Sequence, residues 1–325
     1  MPIKVNSGDN NATSQNVTDN EENVINDSAP VTNSSFGSDE TTYSSENDEN
    51  LNNNTVVAPA ETDPNKIKVS IPDDKTPIIV LFGPPSCGKT MTLVRLSRYL
   101  YQNGYKVEVD LDFKSKTDSH YQELVKTFDS MINSEKAAFS TDLISFLLVK
   151  VSDKLGCPVC QILEAPGEHY FNPNEPKTDF PKYINTIISS KNRILYSIFV
   201  EPSWNDVNVR KGYVEKVKKL STMMRNGDKV LFVYNKIDQT NFVIKPGVIS
   251  MNNAINNIKN LYPNIFEAFR NLNPITKFFK KYNCEVVPFQ TGMFNKAVDG
   301  GLMYTQSDDI YPTLLWNKLC SLLKG

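Results

Sequence analysis

The stretch that decides the fold is Pro77-Ile78-Ile79-Val80-Leu81-Phe82-Gly83-Pro84-Pro85-Ser86-Cys87-Gly88-Lys89-Thr90. Its first half is an uninterrupted apolar run, which suits a parallel strand covered on both faces. Its second half is a loop with glycine at each end, closed by Lys-Thr. Behind it Leu93, Leu96 and Leu100 mark one face of a helix that Gly104 stops. Strand, glycine loop and helix in that order make a phosphate cradle: the loop wraps backbone N–H groups around an anion and the helix adds the positive end of its dipole. Gly83, Pro84, Ser86, Cys87 and Gly88 would form the cradle. Lys89 would reach the β- and γ-phosphates of a triphosphate, and the Thr90 hydroxyl would ligate magnesium.

Working outward, apolar runs predict further strands at 106–111, 144–151, 159–163, 194–200, 230–234 and 285–288. Helical spacing predicts helices at 120–133, 183–190, 209–225, 255–261, 265–282 and 312–323. The alternation implies an α/β fold, a doubly wound and mostly parallel P-loop sheet. The runs 144–151 and 159–163 are separated by only seven residues, too few for a crossover helix, so they must form one antiparallel hairpin.

Charge divides the chain. Residues 1–65 hold twelve Asp or Glu and one Lys, a net of −11 within a whole-chain −2, which leaves +9 for the remainder. The Asn/Ser-rich composition of residues 1–69, without an apolar period, predicts a disordered acidic tail, and 70–325 is expected to be one P-loop domain with insertions. The start Met1-Pro2-Ile3-Lys4-Val5 lacks a secretory pattern, and no stretch approaches the roughly 20 apolar residues that span a bilayer. A cytoplasmic protein is expected. Five scattered cysteines fit reduced thiols; Cys157-Pro158-Val159-Cys160 has no second pair to complete a zinc site. The basic stretch 210–220 reads as the solvated side of an amphipathic helix through Val214, Val217 and Leu220, so nucleic acid is not indicated.

A second informative stretch is Leu231-Phe232-Val233-Tyr234-Asn235-Lys236-Ile237-Asp238, an apolar strand ending in Asn-Lys-x-Asp about 145 residues past the glycine loop. With that loop it resembles the P-loop GTPase superfamily, whose base-recognition motif it matches. The resemblance implies that the Asp238 carboxylate accepts from N1–H and the 2-amino group of guanine, a donor pair adenine lacks. It implies too that Asn235 binds the base edge and braces the loop while the Lys236 stem covers the purine face. Between the two motifs, Glu164-Ala165-Pro166-Gly167 resembles the family's Asp-x-x-Gly switch, with Glu for Asp; Glu164 would sit in the magnesium shell and Gly167 by the γ-phosphate. The position after that glycine, where many relatives orient the attacking water, is Glu168, followed by His169, one of two histidines in the chain. Glu168 could accept a proton from water but would add charge beside the phosphate, so slow hydrolysis is expected. Thr141 is the best candidate for the γ-phosphate sensor and third magnesium contact the family carries, with Thr117 and Thr127 as alternatives in the same long connection. Thr291 and Gly292, after the 285–288 strand, stand where family members contact guanine through backbone.

The resemblance thus implies a GTP/GDP-binding protein that acts as a magnesium-dependent molecular switch, with catalytic contributions from Lys89, Glu168 and His169 and a protein partner or activator. Two alternatives stay open: a nucleotide-binding scaffold that does not hydrolyse, and a P-loop ATPase or kinase in which 235–238 merely closes a strand.

Overall fold

The computed structural model describes residues 63–132, 146–278, 280–296 and 302–324. In chain order its elements are β1 (Ile78–Phe82), α1 (Lys89–Gln102), β2 (Lys106–Val109), α2 (Ser119–Ile132), β3 (Leu147–Ser152), β4 (Pro158–Glu164), α3 (Gly167–Tyr170), α4 (Lys182–Ile188) and β5 (Ile194–Val200). There follow α5 (Val207–Met223), β6 (Lys229–Tyr234), β7 (Val243–Lys245), β8 (Val248–Ile249), α6 (Met251–Leu261), β9 (Glu285–Pro288), β10 (Gly292–Lys296), β11 (Leu302–Gln306) and α7 (Ile310–Lys324).

The main sheet has seven strands in the order β2-β3-β4-β1-β5-β6-β9. β1 lies parallel to β4 and β5, and β5, β6 and β9 continue in parallel. β3 runs antiparallel to both β4 and β2, so the hairpin inferred from the short 152–158 link is present. Side chains alternate between the faces of a strand, yet every residue of β1 and β5 is buried, so both faces at the sheet centre are covered. On one side α1 packs with α2 and α7, and elsewhere α5 packs with a 3-10 turn at Ile265–Phe269.

The expected helix at 265–282 is not there. The chain forms two 3-10 turns, Ile265–Phe269 and Thr276–Phe278, with an isolated antiparallel bridge from Arg270 to Tyr282. Pro274 lacks the N–H a helix interior needs, and the side chains of Asn271 and Asn273 take up backbone groups that a helix would have paired. The sequence expectation did not include the short helix α3, the small β7–β8 pair or the β10–β11 hairpin, while the strand expected at 106–111 is present as β2 at an edge of the main sheet. No helix among the described residues is long and apolar enough to cross a membrane.

Candidate functional site

The site begins where β1 ends. Ser86 (φ 60°) and Gly88 (φ 88°) turn the chain through left-handed conformations before α1 starts at Lys89. Only Gly can stand at 88: a Cβ there would meet Asn235 Nδ2 at 2.3 Å. Cys87 points inward and is 1% exposed, and burial pushes its thiol up to about 11, so it is a neutral packing group. Lys89, itself buried, donates to the carbonyls of Gly83 and Pro84 at 3.2 Å each. Its ammonium therefore lies across the loop, held by neutral acceptors that a phosphate oxygen would outcompete.

Thr90 Oγ1 donates to Glu164 Oε1 at 2.9 Å, which joins the first turn of α1 to the end of β4. Glu164 is 1% exposed, and burial pushes its carboxyl up to about 7 although Lys89 and the Thr90 hydroxyl pull the other way. Its Oε2 is buried without a hydrogen-bond partner among the described residues. A hydroxyl and an orphaned carboxylate oxygen side by side are the hard donors that suit magnesium. Thr141, the third expected metal contact, lies outside the described residues.

Past Glu164 the chain is pressed onto the glycine loop. A Cβ on Gly167 would lie 2.2 Å from Pro85 N and 2.4 Å from the Pro84 carbonyl carbon, so glycine is required for the two backbones to touch. The next residues diverge. Glu168 is exposed in the first turn of α3. His169 Nδ1 is 2.6 Å from the Tyr183 hydroxyl, and burial holds its imidazole down from 6.5 to about 4. Tyr170 packs on Phe82 with ring centroids 4.9 Å apart, and Phe171 is fully buried against Trp204 and Tyr213.

The Asn-Lys-Ile-Asp stretch approaches from β6. Asn235 Nδ2 donates to Cys87 O at 2.9 Å, the brace that the resemblance implied. Lys236 takes a left-handed conformation (φ 54°), and its ammonium pairs with Glu201 at the end of β5. A cavity of about 590 Å³ results, lined by Ser86, Gly88, Lys89 and Thr90 of the glycine loop and α1 and by Asn235, Lys236 and Asp238 after β6. Thr291 and Gly292 also line it, as do three residues the sequence did not single out: Met91, Gln239 and Met293. Gly83, Pro84, Cys87, Gly167, Glu164, Glu168 and His169 are not among the lining groups; the first five serve it from behind, through the contacts above.

Two charged groups that position these elements were also missed. Glu201 follows the buried strand β5, and an acid directly after such a strand is a signal that can be read. Arg95, 1% exposed on α1, donates to Ser307 O at 2.9 Å and pairs with Asp309, which ties the glycine-loop helix to the chain leaving β11. Its signal was a charge amid the apolar positions of α1. The hairpin is held in turn by Tyr304, whose hydroxyl donates to Thr291 O at 2.7 Å.

Central strand, glycine loop, antiparallel hairpin, acid-x-x-Gly after β4 and Asn-Lys-x-Asp after β6 thus stand in the expected places in an α/β fold. No protein-family model matches the chain. No curated protein matches it either. Among solved structures it is similar to nucleolar GTP-binding protein 1 of Plasmodium falciparum, at 16% identity and TM-score 0.39, covering 79% of this chain and 90% of that one. It is similar also to Methanosarcina barkeri Roco2 bound to GDP, at 11% identity and TM-score 0.30, covering 79% of this chain and 52% of that one. The GTPase-like domain of Ski7 from S. cerevisiae, bound to GTP, shows 11% identity and TM-score 0.37, covering 77% of this chain and 50% of that one. The chain spans about half the length of the latter two. At these identities and scores the likeness is one of outline, and the reading of the site rests on this chain's own residues.

Proposed function

We propose that this protein binds a guanine nucleotide, with GTP and GDP as its ligands. The observation that carries the reading is the Asn235–Cys87 hydrogen bond, which locks the Asn-Lys-x-Asp segment to the glycine loop so that one cavity pairs a phosphate cradle with the Asp238 carboxylate. A purine nucleoside triphosphate has that polarity, and a carboxylate at the base end favours guanine over adenine. Competition among GTP, GDP and ATP on the purified protein tests this. GTP and GDP should win over ATP, and Asp238→Ala should erase the preference; a variant that still prefers guanine would sink the base-recognition assignment.

Magnesium would sit between Thr90 and Glu164, with Thr141 as a further candidate ligand. There it would neutralise charge between the β- and γ-phosphates. Lys89 would move from the carbonyls of Gly83 and Pro84 to the phosphates, and the N–H groups of the loop would point at them. We read the activity as slow hydrolysis of GTP to GDP and phosphate, used as a switch and read by a protein partner or activator in the cytoplasm. The imidazole of His169 is committed to Tyr183, so Glu168, exposed one residue earlier, is the better placed of the two to order a water.

A second reading, a scaffold that binds nucleotide without hydrolysing it, draws support from the burial of Tyr170 and Phe171. A switch that releases on hydrolysis needs a segment of low local stability, and these rings anchor the segment after Gly167 in the core. Magnesium-dependent phosphate release that disappears in Lys89→Ala would exclude the scaffold; no release above that variant would exclude the switch.

A further inference from the structure

Between Phe269 and Asn283 the chain makes a loop built from its own polar groups. Asn271 N donates to Lys281 O at 2.9 Å, and Asn271 Nδ2 donates to Lys280 O and Thr276 Oγ1, each at 2.9 Å. Asn273 Oδ1 accepts from the N–H groups of Ile275 and Thr276, and Asn283 N donates to Phe269 O at 2.7 Å. So fixed, the loop holds Leu272, Ile275 and Phe278 outward, 81%, 74% and 80% exposed. Residues 275 and 278 stand three apart around the Thr276–Phe278 turn, a spacing that puts side chains on one side in 3-10 geometry. A lone exposed leucine is ordinary, but three long apolar side chains in seven residues, on a backbone that cannot fold them back, form a standing apolar tip.

Within residues 271–281 the charge has one sign. Residues 271–281 contain Lys277, Lys280 and Lys281 and no carboxylate. Lys280 lies 3.5 Å from Glu285 and Lys281 acts on Glu267 at longer range, while Lys277 has no carboxylate within 4 Å among the described residues. Their ammonium groups stand 5.5 and 5.0 Å over the rings of Phe278 and Tyr282.

We propose that this loop docks on an anionic lipid surface. Leu272, Ile275 and Phe278 enter the boundary between headgroups and acyl chains, and Lys277 and Lys281 stay with the headgroup phosphates and carboxylates. A protein hot spot encloses its anchor in a packed pocket. Here the anchors stand almost clear of the protein, with Lys277 over the Phe278 ring and Lys280 and Lys281 following in the same loop, which fits a fluid, negatively charged surface. Apolar insertion and charge attraction reinforce one another, so neither set alone should hold.

Co-sedimentation of the full chain with vesicles tests this. Wild type should pellet with phosphatidylcholine vesicles containing about one third phosphatidylserine, and not with phosphatidylcholine alone. The triple variant Leu272→Ser/Ile275→Ser/Phe278→Ser should stay in the supernatant. Lys277→Ala/Lys281→Ala should weaken binding by roughly fivefold per lysine, and added salt should act in the same direction. These side chains are exposed, so both variants should melt with wild type, which separates lost docking from lost folding. No pelleting of wild type, or equal pelleting of wild type and the triple variant, would overturn the proposal. So would a concentration-dependent self-association that the triple variant abolishes without any lipid effect, since the tip would then be a face between copies of this chain.

Discussion

At the scale of single residues, the site depends on a few contacts with no substitute. Asn235→Ala removes the only side-chain donor to Cys87 O among the described residues and leaves that buried carbonyl without it, at a cost of about 1–3 kcal/mol. Chemical unfolding should show a destabilisation of that size, and nucleotide titration should show weaker binding, because the glycine loop loses its brace. Gly167→Ala acts from the other side: its methyl would overlap Pro84 and Pro85 backbone, so nucleotide affinity should fall even where the protein still folds. His169 makes stability depend on pH. Burial holds the folded-state imidazole at about 4 against 6.5 in the unfolded chain, so the unfolded state takes up the proton first as pH drops. The stabilisation is complete above pH 6.5 and is lost as pH falls towards 4, by about 3 kcal/mol at most. Melting curves across that window should show the decline, and His169→Gln should flatten it. Of these three residues, Gly167 and Asn235 could be read from motif spacing; the commitment of His169 to Tyr183 could not, because residue 183 belongs to a separate helix.

At the scale of elements, local pattern and tertiary pairing part company. β1, β4, β5, β6 and β9 are apolar runs whose burial a one-dimensional reading finds, and α1 carries an apolar stripe. Leu93 is fully buried there, so Leu93→Ala should cost about 2–5 kcal/mol in a denaturant titration. The 265–282 segment shows the opposite case: its apolar spacing is helical, but Pro274 and the two asparagines turn it into a loop. The β10–β11 hairpin had no signal the sequence reading could use, since its strands owe their position to pairing with each other and to the Tyr304–Thr291 bond. It is nevertheless a wall of the cavity. A side chain at 292 would meet Thr305 O at 2.2 Å, so Gly292→Val should displace the hairpin. Nucleotide affinity should drop while far-ultraviolet circular dichroism of the main sheet is kept; unchanged affinity would remove the hairpin from the site.

At the scale of the whole molecule, the glycine loop, the end of β4, the end of β6 and the hairpin converge on one cavity, so ligand binding and folding are linked. A nucleotide that binds only the folded chain stabilises it by about 2.7 kcal/mol at a hundredfold excess over Kd. GTP or GDP should therefore raise the melting temperature of wild type, and Lys89→Ala should abolish the rise. The sequence by itself determined the class of fold, because alternation of buried strands with amphipathic helices is a local property. It determined the glycine loop as well, since a loop between a strand and the helix that follows it needs no distant partner. It also determined the antiparallel hairpin, through a link too short to cross over. Only the tertiary structure decided that Asn235 bonds Cys87, that Glu201 takes Lys236, that Arg95 reaches Ser307 and Asp309, and that Tyr170 and Phe171 are anchored. Each joins residues far apart in the chain, and such pairings follow from the order in which strands enter the sheet, which no stretch of sequence carries alone.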